Sequence, residues 1–434
     1  MEMKRYRLGE IAKVEISSVD KKTKENENPV KLCNFTDVYH NWAITKSMEN
    51  SFMDASANEK EIKNFSLRKG QVAFTKDSET RDDIGVPTYI ADDFENVLLS
   101  YHTALITPDK TKLVGKYLNA FMNTRFIQKY FENNASGSGQ RYTLSLETLI
   151  AMPVIVPKLP TQKIIGNFFS NIDRKIALNR RMNEKLETMA KRLYDRWFVQ
   201  FDFPDADGRP YKTSGGKMAW NAALKREIPA GWEVKRLGDV LTTNRGVSYS
   251  TKTITGNKGI PMINLASFLP NGSYKVDGIK TYTGQYSADK VLKPFDLLMC
   301  NTQQTAIDFS KDIIGKSLLV PNIFDKDIIS SHHVNTLKVQ DENLKFYLNR
   351  LFNTDYFHAY ISRYASGTNI MGLDFSGVTN FMTEIPPKKL LKKFADIALI
   401  VEKKKSEMIR ENQKLTALRD RLLPLLMNGQ VVVG

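Results

Sequence analysis

Three groups of residues in this chain have types and spacings that could bind a phosphate or a metal ion. Gly315-Lys316-Ser317 resembles the end of a phosphate-binding loop, but such a loop needs a glycine five residues earlier, where this sequence has Ser310. His332-His333 could ligate a metal ion, yet no further His or Cys cluster follows at finger-like spacing. The glycine-rich run 135–139 could cradle a phosphate with its amides or form a flexible turn. These groups predict neither a nucleotide site nor a metal site.

The sequence motifs of common catalytic sites are missing. The chain has no Gly-x-Ser-x-Gly, no His-Glu-x-x-His and no Gly-x-Gly-x-x-Gly after a predicted strand. The Asn/Asp-Pro-Pro-aromatic motif of an adenine methyltransferase is also absent, because the Pro386-Pro387 pair follows Ile385. A nuclease site built from carboxylates far apart in sequence stays open. No residue pattern therefore requires this chain to be an enzyme, and we expect no catalytic residue in it.

The net charge of +15 favours nucleic acid as a partner, with an anionic membrane surface second. Two short segments carry most of the excess: 158–203 has 10 basic against 5 acidic residues, and 388–434 has 11 against 5. No apolar run approaches the roughly 18 residues that cross a bilayer. The amino terminus lacks the apolar core of a secretory signal, and Cys33 and Cys300 fit no disulfide or metal framework. We expect a cytoplasmic protein without membrane partners.

The sequence repeats itself at a constant step of 230 residues. The matched pairs are Asn34 and Asn264, Gly85 and Gly315, His102 and His332, 135–137 and 365–367, Met152 and Met382, and Pro157 and Pro387. Solenoid and propeller units repeat every 20 to 50 residues or so, and this step is much longer. The chain therefore contains a duplicated domain whose copies have diverged.

Each copy is predicted to be a mixed α+β domain, the first over 1–157 and the second over 231–387. Short β-rich runs such as 71–75, 97–101 and 153–156 alternate with polar, glycine-bearing turns. Apolar residues at steps of three and four predict one helix over 113–131. Between the copies, segment 204–230 is rich in Pro and Gly, which predicts a linker.

A long heptad-patterned helix follows each copy, in 158–203 and in 388–428. The positions that fall at sevens are Ile165, Ile172, Asn179, Leu186 and Leu193 in the first helix, and Val401, Met408, Leu415 and Leu422 in the second. Seams sustained over four or more heptads predict a coiled coil, here between the two helices in antiparallel orientation. The alternative is that each helix lies on its own domain. Asn179 at an inward position, with Lys404 and Glu411 in the partner helix, would fix the register at some cost in stability.

If each copy of the domain reads a few base pairs of DNA, two copies held at opposite ends of the paired helices would act as a molecular ruler. A helix of about 40 residues spans roughly 60 Å at 1.5 Å per residue. Two readers near its ends could lie no more than about 18 base pairs apart at 3.4 Å per pair. Contacts on one side of a duplex favour a separation of about one turn. Diverged copies would then read the two different halves of a bipartite site.

Short motifs at matching points identify a family. They are Arg7-Leu8-Gly9-Glu10 and Arg236-Leu237-Gly238-Asp239 at the domain starts, Ser136-Gly137-Ser138-Gly139-Gln140 before a strand, Pro157-Lys158-Leu159-Pro160 at the helix entry, and Leu193-Tyr194-Asp195-Arg196-Trp197-Phe198 leading to Phe201-Asp202-Phe203-Pro204. Together they resemble the specificity subunit of type I restriction-modification enzymes along essentially the whole chain. That family often has Glu-Gln at the helix entry, whereas this chain has Thr161-Gln162 and Leu391-Lys392.

The resemblance implies two target recognition domains, one per copy, joined by central and distal helical regions. It implies that these regions dock two adenine-specific methyltransferase subunits, and that a restriction/translocase subunit joins them. S-adenosylmethionine, ATP and Mg²⁺ would then be bound by the partner subunits, with no cofactor in this chain. Two alternatives remain: a self-contained nuclease with its own recognition domains, and a DNA-binding scaffold or repressor.

Under this interpretation, polar side chains after predicted strands or glycine turns would contact double-stranded DNA. Amide and guanidinium groups match the edges of adenine and guanine. The predicted contacts are Thr75, Lys76, Ser78, Arg81, Ser138, Gln140 and Arg141 in the first domain, and Asn301, Thr302, Gln303, Gln304, Thr368 and Asn369 in the second.

Overall fold

The computed structural model describes residues 2–137, 140–254, 256, 259–304 and 311–430, which form two compact units. The first unit comprises the described residues of Met1–Leu178 and Asn412–Gly434, and the second comprises those of Asn179–Glu411. The helical regions placed at 158–203 and 388–428 are therefore divided between the two units. Both units combine small sheets with helices, as the α+β prediction requires.

The first unit contains thirteen strands in its described part and six helices, the last of which continues into the second unit. The strands are β1 (Lys4–Arg7), β2 (Ala12–Ile16), β3 (Asn28–Cys33), β4 (Ala43–Ile44), β5 (Met53–Ala57), β6 (Val72–Thr75), β7 (Asp77–Ser78), β8 (Pro87–Ile90), β9 (Val97–Leu99), β10 (Thr103–Pro108), β11 (Ser136–Gly137), β12 (Tyr142–Thr143) and β13 (Pro153–Val156). The helices are α1 (Phe35–His40), α2 (Glu59–Phe65), α3 (Gly115–Met122), α4 (Arg125–Asn134), α5 (Leu146–Ala151) and α6 (Leu159–Tyr194).

Within the second unit the same kinds of element follow in the same order. Its strands are β14 (Met218–Asn221), β15 (Arg226–Pro229), β16 (Glu233–Arg236), β17 (Leu241–Arg245), β18 (Ile260–Ile263), β19 (Lys280–Tyr282), β20 (Leu297–Cys300), β21 (Thr302–Gln304), β22 (Ser317–Leu319), β23 (Ile329–Ser330), β24 (Val334–Val339), β25 (Ala365–Ser366), β26 (Ile370–Leu373) and β27 (Met382–Ile385). Its helices are α7 (Leu344–Phe352), α8 (Asp355–Ile361), α9 (Ser376–Thr379) and α10 (Lys388–Met427), together with the end of α6.

The sheets of the two units have the same topology. In the first unit the main sheet runs β2-β10-β6-β8-β4, and β17-β24-β20-β22 is its counterpart in the second. A smaller sheet, β5-β3-β9, corresponds to β19-β18-β23; in both, the middle strand has one antiparallel and one parallel neighbour. The sheets β11-β12-β7 and β25-β26-β21 also match, as do the pairs β1-β13 and β16-β27. The duplication read from the sequence is thus a duplication of the fold.

Matched glycines explain part of the repeat. Gly85 and Gly315 have φ values of 79° and 69°, a backbone region that favours glycine. A Cβ at Gly85 would lie 2.2 Å from the ring of Phe131, and one at Gly315 would lie 2.6 Å from Ile361. The packing neighbours 131 and 361 are separated by the same step of 230. The repeat therefore preserves a close contact between backbone and core.

The single helix predicted over 113–131 is two helices, α3 and α4, because polar side chains break it. Thr124 caps α4 by accepting a hydrogen bond from the backbone N–H of Ile127. The second unit has the same break, where Thr354 accepts from the N–H of Phe357 at 3.1 Å and α8 begins after α7. A threonine hydroxyl at this position accepts a hydrogen bond from an otherwise unpaired N–H in the first turn of the second helix. This favours the start of a new helix over continuation of the preceding one.

Segment 204–230, predicted as a linker, contains the hairpin β14–β15. The rings of Phe203 and Tyr211 stack with centroids 4.6 Å apart, and Phe203 and Ile228 belong to the core of the second unit. The prediction rested on the Pro and Gly content alone. Those residues form the turns between the apolar anchors, so the segment is folded against the unit that follows it.

The heptad positions of α6 and α10 are buried or half-buried in both units. In the first unit, Ile165 and Phe169 of α6 share an apolar cluster with Leu423 and Leu426 near the end of α10. In that unit Asn412 donates to the carbonyl oxygen of Ile176 at 3.4 Å. The remaining predicted seam residues that are buried are Ile172, Asn179 and Met408, and those half-buried are Leu186, Leu193, Val401, Leu415 and Leu422. No helix in the described part of the chain is long and apolar enough to cross a bilayer.

Polar contacts set the register of the helices in the second unit. Asn179 Nδ2 donates to Glu411 Oε2 at 2.7 Å, the pair that the heptad pattern placed in the seam. Lys404, in contrast, is exposed and pairs with Glu407. Further along α6, Glu187 meets Lys405 of α10 at 2.7 Å. Since α6 numbers rise while α10 numbers fall, the helices are antiparallel, and the coiled-coil prediction is confirmed.

A buried ionic network joins α7 to both long helices. Arg350, which is 8% exposed, pairs with Glu187 of α6 and, at 3.1 Å, with Glu402 of α10. Lys405 lies 2.7 Å from Glu187 and 3.0 Å from Glu402. Burial raises the pKa of Glu187, but the charges of Arg350 and Lys405 outweigh it and lower that pKa to about 2. The network therefore links α7 to both long helices.

Replacing Glu187 with Gln should lower the free energy of unfolding by about 3 kcal/mol at neutral pH, because Arg350 and Lys405 would lose one of their two buried carboxylates. The matched control is Glu184→Gln, which removes the same charge from an exposed position of the same helix. Chemical denaturation of both variants and the wild type measures the difference. Equal stabilities of the two variants would contradict the role assigned to the network.

The same measurement has a pH dependence. The folded-state pKa of Glu187 lies below its ordinary value of 4.5, so its stabilisation is complete above that pH and is lost as the pH falls toward 2. The gap in stability between wild type and Glu187→Gln should therefore shrink in acid, while that for Glu184→Gln should stay small. A gap that persists near pH 2 would contradict the ionic origin of the stabilisation.

Candidate nucleic-acid interface

The predicted contact residues cluster around one small sheet in each unit. In the first unit β12 pairs with β7 and β11, and in the second β26 pairs with β21 and β25. Gly137 and Gly367 have φ values of 149° and 140°. A Cβ on either would lie 2.1 Å or less from a backbone carbonyl oxygen of the facing strand segment, so both positions require glycine. The scaffold of the hairpin is the same, whereas the turn that follows each glycine differs in sequence.

Asp77 organises the cluster of the first unit. Its carboxylate is buried and lies 2.9 Å from Lys76 Nζ, 2.5 Å from His102 Nδ1 and 3.3 Å from Arg141 Nη2. Burial raises the pKa of Asp77, but hydrogen bonds from Thr143, Lys76 and His102 outweigh it and hold that pKa below its usual value. A charged, buried carboxylate thus orients three donor side chains, of which Arg141 is the most exposed at 56%.

Arg81 and Tyr142 form a second element of this surface. The guanidinium carbon of Arg81 lies 5.0 Å from the centroid of the Tyr142 ring, and Arg81 is exposed. Tyr142 pairs with Ser78 across β12 and β7, and Ser78 is half-buried. An arginine stacked on an aromatic ring keeps its donors free to meet a flat partner. Arg81 and Tyr142 therefore form a cationic and aromatic pair on the same small sheet as the Asp77 cluster.

The other predicted residues of the first unit divide into three cases. Gln140 is exposed at the hairpin turn. Thr75 is fully buried, and its hydroxyl accepts a hydrogen bond from the N–H of Val86 at 3.0 Å. Thr75 thus stabilises the main sheet and presents no atom to a partner. Ser138 lies outside the described residues.

In the second unit, three of the predicted contacts are buried. Asn301 donates to the carbonyl oxygen of His332 and to the Asn335 side chain. Thr302 donates to Asn301 Oδ1 at 2.7 Å, and Gln303 Oε1 accepts from the N–H of Ile313 at 2.7 Å. Each of these three polar side chains thus has a hydrogen-bond partner within the fold. Asn301, Thr302 and Gln303 therefore support the surface residues from within the fold. The prediction that these three side chains contact DNA does not agree with their burial.

Of the remaining predicted residues, Thr368 and Asn369 are exposed in the turn between β25 and β26. Gln304 belongs to β21, which pairs with β26, but its side chain lies outside the described part of the structure. Gly137 faces the carbonyl oxygen of Arg141, and Gly367 faces that of Ile370, so the exposed Ile370 stands where Arg141 stands in the first unit. The matched position thus carries an apolar group in one unit and a guanidinium in the other.

A histidine pair extends the surface of the second unit. The His332 and His333 rings lie 3.8 Å apart, and Tyr249 lies 5.3 Å from His332 between centroids. Lys280 Nζ is 5.0 Å from the Tyr249 centroid, and the exposed Arg245 donates to the carbonyl oxygen of His332 at 3.1 Å. This cluster again combines basic and aromatic groups, but with different residues.

Both imidazoles are held in the neutral form. Burial, the neighbouring His332 ring, Arg245 and Lys280 lower the pKa of His333 to about 4, and burial with Arg245 lowers the pKa of His332. A neutral imidazole has one donor and one acceptor nitrogen, so it can read a mixed pattern of hydrogen-bonding groups. No group of three His, Cys, Asp or Glu side chains placed to hold a metal occurs in the parts of the chain that the structure covers.

Sequence reasoning missed Asp77, Tyr142, Arg245, Tyr249 and Lys280. One signal could have found the site: the step of 230 pairs His102 with His332, and each lies at the turn that enters the main sheet. In both units that histidine touches the cluster. The repeat therefore marks the location of the site, although it does not give the identity of its side chains.

Comparisons with known proteins agree with this architecture. The family model described as "type I restriction modification DNA specificity domain" matches residues 1–188 and again 229–416. The specificity subunit of the type I restriction enzyme MjaIX from Methanocaldococcus jannaschii is 28% identical over 420 residues, covering 90% of this chain and 87% of that protein. The HindI specificity subunit from Haemophilus influenzae is 23% identical, covering 84% of this chain and 87% of that protein.

A solved structure has the same fold. The S subunit of the type I restriction-modification system from M. genitalium superposes with a TM-score of 0.57 at 12% identity, covering 98% of this chain and 96% of that chain. Each of the two matches to the family model contains one set of the corresponding sheets and most of the long helix that follows it. This chain belongs to the family of type I restriction-modification DNA specificity proteins, and it carries two copies of the family's domain.

Proposed function

We propose that this protein is the non-catalytic specificity subunit of a type I restriction-modification complex and that it reads a bipartite, asymmetric DNA site. Each unit recognises one half-site, and the paired helices α6 and α10 fix the unread gap between the halves. The modification and restriction subunits supply the chemistry, together with S-adenosylmethionine, ATP and Mg²⁺. We place the complex in the cytoplasm, in keeping with two buried free thiols, Cys33 and Cys300.

One observation carries the proposal: two units of the same topology present different side chains at the same place. The first unit offers Arg141 beside Asp77 and the Arg81–Tyr142 pair, and the second offers Arg245 with the His332-His333 pair. Guanidinium groups suit guanine edges and phosphates, while amides and neutral imidazoles suit mixed donor and acceptor patterns. Two readers of different chemistry on one scaffold match a site whose halves differ.

The long helices support docking of partner subunits. Large apolar residues are exposed along them. Exposed apolar residues that lie together on a monomer usually mark an interaction surface. Those in the first unit are Ile164, Leu178 and Leu418, and those in the second are Met182, Met189, Ile397 and Ile400. The helical segments also carry most of the net positive charge, which suits contact with the DNA backbone between the half-sites.

The direct test is to express this chain with a cognate modification subunit in a host that lacks other methyltransferases and to map adenine methylation across the genome. We expect a two-part motif with a fixed gap. A short continuous or palindromic motif would contradict two different readers. Metal-dependent DNA cleavage by the purified chain alone would indicate a self-contained nuclease, and tight sequence-specific binding without a partner would indicate a repressor.

The half-sites can be assigned by single substitutions. Arg141→Ala should relax or abolish one half of the motif, and Arg245→Ala should alter the other, each lowering methylation of the full site by about tenfold or more. The control is Arg125→Ala, which removes an exposed arginine from α4 of the first unit. Methylation mapping of each variant gives the result. If both cluster variants changed the same half, the assignment of one half-site to each unit would be wrong.

The docking surface can be tested separately from DNA recognition. Ile400, at 68% exposure, should lie beneath a modification subunit, so Ile400→Glu should weaken assembly by about tenfold or more because it buries an unpaired carboxylate. Trp220→Glu, at 67% exposure on β14, is the matched control away from the long helices. Sedimentation of the purified proteins measures assembly. Equal dissociation constants for the two variants would remove Ile400 from the interface.

A further inference from the structure

A cavity of about 300 Å³ lies in the second unit, where α6 ends. Its wall combines aromatic rings of Phe198, Tyr356 and Phe381 with charged side chains from α6, β15 and β27. Two apolar residues at the cavity are largely exposed, Val199 at 51% and Tyr356 at 68%. A cavity of this size fits one side chain of a partner far better than a large ligand.

Glu384 gives the cavity its chemistry. The side chain is 4% exposed, and its Oε1 accepts a hydrogen bond from Arg226 Nη2 at 2.6 Å. Its other oxygen, Oε2, is buried and accepts no hydrogen bond from any residue that the structure describes. A buried carboxylate oxygen without a donor is unfavourable, because no hydrogen bond offsets the loss of its hydration. Since Glu384 is one of the residues that line the cavity, a donor that a partner inserts there could satisfy this oxygen.

The charges that line the cavity favour a cation. Three acidic side chains line it, namely Glu384, Asp195 and Asp355, against two basic ones, Arg226 and Lys191. Both basic groups are already paired within the lining: Lys191 lies 2.8 Å from Asp195 and Arg226 lies 2.6 Å from Glu384. The carboxylate charge in excess is that of Asp355, which is exposed. The aromatic rings would stack on a planar cation, which a guanidinium supplies and a compact ammonium does not.

We propose that this cavity receives an arginine side chain of the modification subunit, which donates to Glu384 Oε2 and stacks on the aromatic wall. The inference rests on the proposed function, since the partner is the subunit that docks on the long helices. It adds an anchoring contact at the end of α6, beside the exposed Val199, to the apolar contacts along the helices. Glu384 is then a binding residue of the assembly, and Arg226 is its partner within the chain.

The test compares two variants of the full chain that break the same internal ion pair from opposite sides. Glu384→Gln removes the charge that binds the incoming arginine, and should raise the dissociation constant for the modification subunit about tenfold or more. Arg226→Met leaves the carboxylate and removes its internal competitor, so assembly should be unchanged or tighter. If Glu384 acted only through its internal pair, both variants would weaken assembly alike, and the proposal would be overturned.

A third variant guards against misfolding of the first two. Val199→Arg adds a guanidinium group to this chain at the exposed edge of the cavity. This group should compete with the partner's arginine and raise the dissociation constant about as much as Glu384→Gln does. Trp220→Arg is its control on β14. In the Glu384→Gln background, Val199→Arg should have little further effect, because both remove one contact. An unchanged dissociation constant for Val199→Arg overturns the proposal.

Failure of this inference and failure of the proposed function give different results. If the wild-type chain neither assembles with the modification subunit nor directs methylation to a bipartite motif, the proposed function fails. If the wild type does both, but Glu384→Gln assembles with the wild-type dissociation constant, only the arginine site is wrong. The melting temperature of each variant, measured alone, reports whether it is folded.

Discussion

The structure depends on the pairing of α6 with α10, because neither unit closes its core without it. The core of the first unit includes Leu423 and Leu426 from the end of the chain, and that of the second includes Tyr194 and Phe394 from the two helices. Each unit is therefore built from segments far apart in sequence. Since burial of these apolar groups drives folding, the core of each unit depends on the parts of both long helices that belong to that unit.

The duplicated scaffold allows the two surfaces to differ at little cost in stability. Gly137 and Gly367 keep the hairpins alike, and the apolar cores carry the folding energy. Substitutions at exposed positions usually change stability little, so the turn residues can differ between the copies. The buried residue beneath each hairpin has changed as well: Asp77 holds cationic side chains in one unit, while Gln303 accepts a backbone N–H in the other. The two copies thus differ both in the side chains proposed to contact DNA and in the buried residues that position those side chains.

Much of the fold could be predicted because its signals are periodic along the chain. The step of 230 and the two heptad seams are local or translational patterns, and the pairing of Asn179 with Glu411 follows from them. Composition was a poorer guide. It suggested a linker at 204–230, where anchors such as Phe203 fold the segment into a hairpin. Apolar periodicity also predicted one helix at 113–131, where Thr124 starts a second.

The sequence alone determined that the protein has two diverged copies of one domain, two long basic helices and polar turns after matched strands. Tertiary structure decided which of those polar residues face outward. Thr75, Asn301 and Gln303 are buried and Arg141 is exposed, although the sequence pattern predicted DNA contact for all four. The reason is that the great majority of buried polar groups have a hydrogen-bond partner, and partners such as Val86 and Ile313 are brought near by the fold and not by any pattern in the chain.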